Sequence, residues 1–381
     1  MKVMLKELGE IITGNTPSKQ IEEFWNAEDI CFIKPDVIAD SGVNEISESN
    51  EYISEEARKK ARVVSKDAIF VTCIGSIGKI GIAKDGEYAF NQQINAIIPN
   101  EKVHPKYLAY NLLFNKERLI GMANAPVVPI INKSQFGEFT LNIEIDSDKQ
   151  SEIVKVLDKL MDIIKHRENE LFALDALIKA RFVEMFGDPN VEFKYESHKF
   201  KEYAFDMTKG PFGSDMKKDL YVPKGEDTYK VYIQINAIQG NQNLGDYYIS
   251  KEYFKQKISR FEVHPGDFII TCDGTLGKHL KLDENMEKGV ISPSLLRLTL
   301  DESKMTQEYF ECMWDMYMLL LMKKEARNAC LVHLPSAKVI GEVDIPVAPF
   351  ELQKEFSDFV KQVDKSKVAI QKIHKKGYNC L

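Results

Sequence analysis

The sequence predicts an α+β protein: two pseudo-twofold-related mixed α/β domains, separated by two long helices that pack together. Three observations predict it. The octapeptide TCIGSIGK, Thr72 to Lys79, returns as TCDGTLGK, Thr271 to Lys278, 199 positions later. Other stretches return in the same order at offsets between 196 and 204. Each half then closes with a long segment of helical apolar spacing.

The echo is extensive. FIKPDVI, Phe32 to Ile38, matches YIQINAI, Tyr232 to Ile238; EYIS at Glu51 matches YYIS at Tyr247. GEFTLNI at Gly137 matches GEVDIPV at Gly341, and QSEIVKVLDKL at Gln150 matches QKEFSDFVKQV at Gln353. An ordered series of this kind marks a duplicated half. Within each half, short β-type runs such as AIFVTCI and DFIITC are broken by Gly, Pro, Asn and Asp.

The first helix is expected from about Ser147 to Phe186, roughly 60 Å long at 1.5 Å per residue. Its seam is Ile153, Leu157, Leu160, Ile164, Arg167, Leu171, Leu174 and Ile178, in alternating steps of four and three. Leu352, Phe356, Phe359, Val363, Ser366, Ile370 and Ile373 repeat the alternation. Each helix has one apolar stripe, and packing one against the other satisfies both; two unrelated core helices are the alternative. GDPN, Gly187 to Asn190, stops the first helix with a C-cap glycine and a following proline. The expected boundaries are 1–146 and 188–349 for the domains, with 147–187 and 350–381 for the helices and tail.

The 381 residues are 44% apolar, enough for packed cores, and hold no apolar run long enough to span a membrane. MKVMLKELGE is not a signal peptide. The six cysteines form no CxxC pair and suit a reducing cytoplasm. A net charge of −7 counts against a nucleic-acid binder, but binding depends on where charge sits.

The octapeptide is not a phosphate loop. Cys73 and Cys272 stand where that loop needs glycine, and Ile80 and His279 follow the lysines in place of Ser or Thr. A hairpin is expected instead, its turn made by Gly75/Gly78 or Gly274/Gly277, presenting Ser76 and Lys79 or Thr275 and Lys278. No GxSxG, HExxH or methyltransferase signature occurs, and no metal site or catalytic group is expected. The chain reads as a binder.

LGEIITGNTPSKQIEEFWNAEDICFIKPDVI, TKGPFGSDMKK and ALIKARFVEMFGDP together resemble the specificity subunits of type I restriction–modification systems, over essentially the whole chain. The resemblance implies two target-recognition domains, each reading one half of a split double-stranded DNA site. It implies an antiparallel coiled coil that fixes the gap between half-sites and docks two methyltransferase subunits, joined by ATP-driven restriction subunits. S-adenosylmethionine and ATP would sit on those partners, with no cofactor on this chain and no membrane contact. The setting would be a bacterial or archaeal cytoplasm.

Candidate DNA-binding residues are side chains suited to base edges or phosphates in polar turns. In the first half they are Asn15, Thr16, Ser18, Lys19, Lys34, Ser76, Lys79, Asn91, Gln92, Gln93, Asn132, Lys133 and Ser134. In the second they are Lys209, Ser214, Lys217, Lys218, Gln234, Asn236, Asp273, Thr275, Lys278, Ser292, Ser294, Arg297, His333, Ser336 and Lys338. Trp25 and Trp314 are expected in the core. The halves differ most in these turns, so an asymmetric two-part target is expected. A coiled-coil scaffold with two protein-interaction domains, and a cryptic DNA-modifying enzyme, are the alternatives.

Overall fold

The computed structural model describes residues 1–123, 128–188, 191, 194–238, 240, 246–318, 320, 322 and 333–379, with backbone alone for 236 and 373–379. The chain divides into two compact units, 1–169 with 372–381, and 170–371.

The first unit carries strands β1 (Lys2–Met4), β2 (Gly9–Thr13), β3 (Ile30–Ile33), β4 (Val43–Ile46), β5 (Tyr52–Ile53), β6 (Val63–Ser65), β7 (Ile69–Thr72), β8 (Ile80–Ala83), β9 (Glu87–Phe90), β10 (Ile94–Pro99) and β11 (Thr140–Asn142). They form a five-stranded sheet β2-β10-β7-β8-β4, a four-stranded sheet β5-β3-β9-β6, and the ribbon β1-β11. Strand β7, IFVT, is buried at every position, as its unbroken apolar run requires. The helix Pro105–Phe114 buries Leu108, Ala109 and Leu112 in the same core as Ile69, Val71 and Ile97.

The second unit repeats the plan with β12 (Ser197–Lys199), β13 (Ala204–Lys209), β14 (Thr228–Tyr232), β15 (Tyr247–Ser250), β16 (Glu262–Val263), β17 (Phe268–Thr271), β18 (His279–Lys281), β19 (Gly289–Ile291), β20 (Leu295–Leu300) and β21 (Asp344–Pro346). Its sheets run β13-β20-β17-β18 and β15-β14-β19-β16, with the ribbon β12-β21. The second sheet of each unit has one parallel pair in the same place, β3 with β9 and β14 with β19. The first unit adds β4 at the edge of its larger sheet, parallel to β8.

The long helices run Ser147–Phe186 and Phe350–Asn379. Within the second unit they are antiparallel. Phe182 and Phe186 each meet Phe356 at 5.5 Å between ring centres, Arg181 lies over Phe359 at 5.9 Å, and Asp175 pairs with Lys367 at 2.7 Å. Burial of Ile178, Phe182 and Phe186 continues the expected seam by two turns. Its start differs: Ile153 is exposed and Val154 enters the first core, because that turn packs on the domain instead of a partner helix. Gly187 adopts φ +85°, the left-handed C-cap, with its N–H bonded to the Val183 carbonyl at 2.8 Å. Pro189 and Asn190 lie outside the described residues.

FIKPDVI is strand only to Ile33; Pro35 has no N–H to continue the ladder, and the chain turns, with Val37 N–H bonded to the Lys34 carbonyl. Its counterpart becomes a short helix, Gln234–Ala237. Trp314 is buried, its Nε1 donating to the Gly277 carbonyl at 2.8 Å. Trp25 is only half-buried, edge-on to Phe32. Among the described residues no helix is long and apolar enough to cross a membrane.

Candidate nucleic-acid interface

In each unit, several strands end together, and the turns leaving them form one cluster. The octapeptide is the turn between β7 and β8, and its repeat is the turn between β17 and β18. A buried threonine holds each copy. The Thr72 hydroxyl donates to the Ser76 carbonyl and accepts from Lys79 N–H at 3.0 Å. Thr271 does the same with Thr275 and Lys278, again at 3.0 Å. Gly75 and Gly78 sit at φ +76° and +82°, and Gly274 and Gly277 at +67° and +77°, conformations that disfavour a side chain.

Three further segments join each turn. Cys73 N–H bonds to the Gln93 carbonyl, and Cys272 N–H to the Ser294 carbonyl, both at 2.8 Å. Ile131 N–H bonds to the Cys73 carbonyl, and Leu334 N–H to the Cys272 carbonyl, also at 2.8 Å. Gly14 and Gly210 press on the neighbouring turn: a Cβ at Gly14 would stand 2.1 Å from the Asn91 carbonyl oxygen, and one at Gly210 would stand 2.0 Å from that of Ser292. Two segments far apart in sequence can meet this closely only at glycine.

The side chains on this shared framework differ. In the first unit, Asn15 ties its turn to the loop before β6, donating to the Lys60 carbonyl at 2.6 Å and accepting from Arg62 N–H at 2.9 Å. Thr16 donates to Gln92 at 2.8 Å, and Gln92 is exposed. Asn91 is buried and bonded to Gln93. Ser18 and Ser76 are exposed. Asn132 caps the helix Lys133–Glu138 through a reciprocal bond with Gln135, leaving Lys133 and Ser134 exposed.

Two lysines expected at the surface of the cluster are engaged within the fold. Lys79 turns back from the tip to Asp40 at 2.6 Å, with its side chain 15% exposed. Its hydrogen bond and charge hold the Asp40 carboxyl below the usual range. Lys34 pairs with Glu51, which Lys19 also approaches at 3.5 Å. Burial, the largest influence on Glu51, pushes its carboxyl up; the two lysines together outweigh it and leave the group below its ordinary value.

In the second unit Lys278 and Thr275 are exposed at the tip, with Lys278 making no ion pair among the described residues. Lys209 donates to the Leu334 carbonyl at 3.3 Å. The Ser292 and Ser294 hydroxyls are 3.1 Å apart. The Gln234 amide lies beside Gly274, and His333 meets Asp273 at 2.6 Å across an isolated β-bridge. Ser336 caps the helix Ala337–Gly341, leaving Lys338 exposed. Ser214, Lys217 and Lys218 are exposed on a separate loop, held by Tyr253 donating to the Asp215 carbonyl. The Asn236 side chain lies outside the described residues.

Arg297 is away from the cluster. It lies on β20, bonded to Asp206 and to the Glu262 carbonyl, and braces the sheet. One neighbour of the cluster escaped the sequence reading: Arg62, exposed, donates to the Thr13 carbonyl beside Asn15. Its position 47 residues after Asn15 left no local sign of the contact. Burial pushes the Cys73 thiol up to about 12 and the Cys272 thiol to about 11, so neither is a nucleophile at neutral pH. Among the described residues no group of acids, histidines and cysteines could hold a metal ion.

The fold and the cluster together define a duplicated protein that presents two differently furnished loop faces on one repeated main-chain framework. Residues 1–173 match the family model described as the type I restriction modification DNA specificity domain. The MjaIX specificity subunit of Methanocaldococcus jannaschii is 31% identical over 208 residues, 52% of this chain and 47% of that one. The EcoR124I/EcoR124II specificity subunit of Escherichia coli is 27% identical over 161 residues, 41% of this chain and 39% of its own. The chain thus matches about half, or less, of the length of these relatives. The S subunit of M. genitalium shares the fold at TM-score 0.50 and 14% identity, covering 100% of this chain and 93% of that one. A chain from a structure of type I complex assembly and conformational transition gives 0.51 and 15%, covering 100% and 95%. The first half of the chain thus carries the type I restriction modification DNA specificity domain, and the whole chain shares the fold of the S subunits.

Proposed function

We propose that the chain is the DNA-reading, non-catalytic subunit of a type I restriction–modification complex. Each loop cluster reads one half of a bipartite, asymmetric DNA site. The paired long helices set the gap and dock two methyltransferase subunits. Restriction subunits join that core, and S-adenosylmethionine and ATP are bound by the partners. The observation that carries this reading is the pairing of one backbone framework with two sets of side chains. Backbone and lysine groups position phosphates, while unlike side chains specify bases. An acidic total charge is compatible with this, because the clusters carry Lys19, Lys133, Lys209, Lys278 and Lys338 locally.

The test is a methylation map. The chain is expressed with its methyltransferase partner in a host lacking other such systems, and modified adenines are located by sequencing. A split, asymmetric motif with a fixed gap is expected. Modification at a continuous or palindromic site overturns the two-reader reading, and an assembled complex that modifies nothing favours a scaffold.

A further inference from the structure

The two clusters differ most sharply at one bridge. In the first unit the isolated β-bridge beside the octapeptide joins Ile74 to Ile130; in the second the same bridge joins Asp273 to His333. The backbone is shared, but two apolar side chains have become an acid and an imidazole. Both are solvent-facing, with side chains 41% and 66% exposed. His333 Nδ1–H donates to one Asp273 oxygen at 2.6 Å. Among the described residues no other side chain bonds to the carboxylate. Asp273 is one of the residues lining a cavity of about 340 Å³, with Ile233, Gln234, Ile235, Gly274 and Ser294.

A carboxylate here is costly to a surface that meets phosphates, because it repels them. It contributes only where a hydrogen-bond donor meets it. A DNA duplex offers such donors at base edges, and in the major groove these are the amino groups of cytosine and adenine. Adenine places an acceptor nitrogen beside its amino group, which faces a carboxylate with repulsion; the cytosine amino group has no such neighbour on its own base. We propose that Asp273, held by His333, reads the N4 amino group of a cytosine in the half-site served by the second unit. This rests on the DNA-reading function proposed above.

The experiment uses the full complex with its methyltransferase partner. The wild-type methylation map first gives the motif; a motif that is not two-part fails the parent reading and is recognised as such before Asp273 is judged. Binding of wild type and Asp273→Ala is then measured on duplexes of that site changed one base pair at a time through both halves. The expected result is loss of about tenfold discrimination at a single C·G pair of one half-site, with the other half and the gap unchanged. Affinity for unrelated DNA should rise, since a phosphate-repelling charge is gone; a structural role for Asp273 would not produce that rise. Three results overturn the proposal: unchanged discrimination at every pair, a loss spread over both halves or over all binding, or a loss located at an A·T pair.

Discussion

Gln150 and Gln353 occupy the same place in the two units, and each fastens a long helix to its domain. Both are buried. The Gln150 side chain accepts from His104 N–H at 2.7 Å and donates to the Glu144 carbonyl at 2.7 Å. Gln353 accepts from Thr306 N–H at 3.0 Å and donates to the Ala348 carbonyl at 2.8 Å. His104 and Thr306 are the N-caps of corresponding helices, so each amide joins three segments. Gln150→Ala and Gln353→Ala should each cost about 1–3 kcal/mol, because buried main-chain groups lose their partners. Urea unfolding of the full chain measures this; a loss under 0.5 kcal/mol, on the order of a neutral surface change, contradicts it.

The threonine that holds each octapeptide is the next test. Thr72→Val and Thr271→Val keep the side-chain shape and remove the hydroxyl. The Lys79 or Lys278 N–H then loses its acceptor, at a cost of about 1–2 kcal/mol. On the proposed reading, Thr72→Val weakens recognition in one half-site and Thr271→Val in the other. Motif maps of the two variants that change the same half would contradict this.

Gly14→Ala and Gly210→Ala place a methyl within about 2 Å of a carbonyl oxygen, so the adjoining turns must separate. Overpacking of this kind costs about 1–3 kcal/mol. Thermal unfolding should register it, together with weaker DNA binding; unchanged values in both assays would show that the turns part freely.

Salt dependence separates the two lysines of the repeat. Lys278 is exposed, and Lys278→Ala should lower the slope of log affinity against log salt by about 0.9, the value of one phosphate contact. Lys79 is committed to Asp40, and Lys79→Ala should change that slope far less. Equal effects would mean that Lys79 leaves Asp40 on binding DNA.

Acid stability should depend on Asp206. Burial, the largest influence, pushes its carboxyl up, but the hydrogen bonds and charge of Arg297, with Thr208, leave it below its ordinary 3.8. A carboxyl depressed in the folded state stabilises fully above its unfolded value. That contribution is lost as pH falls from about 3.8 through the lower folded value. Asp206→Asn should flatten this acid limb and cost about 1 kcal/mol or less at neutral pH, because the Asp206 side chain is 45% exposed and solvent screens the pair. Unfolding followed across pH 2 to 7 for both proteins checks the sign.

The duplication, the hairpin at each octapeptide and the long helices were legible because periodicity and order are written locally. The meeting of Gly14 with Asn91, and of Gly210 with Ser292, was not: each joins segments about 80 residues apart, and nothing in either segment names the other. Side-chain commitments were equally hidden. Lys79 and Lys278 have the same place in the repeat, yet Asp40, far from either in sequence, draws only Lys79 inward. Arg297 looked like a base reader and is a brace, because Asp206 pairs with it from the adjacent strand.

The threonine clasp has an evolutionary consequence. Thr72 and Thr271 grip their turns through main-chain atoms alone, a carbonyl and an N–H. The side chains at 74 and 76, and at 273 and 275, therefore take no part in that grip. Ile74 corresponds to Asp273, and Ser76 to Thr275, on the same main-chain framework. On the proposed reading, a lineage can change such letters singly while the clasp stays as it is. The clasp thus separates heritable architecture from heritable preference, and lets one be conserved while the other drifts.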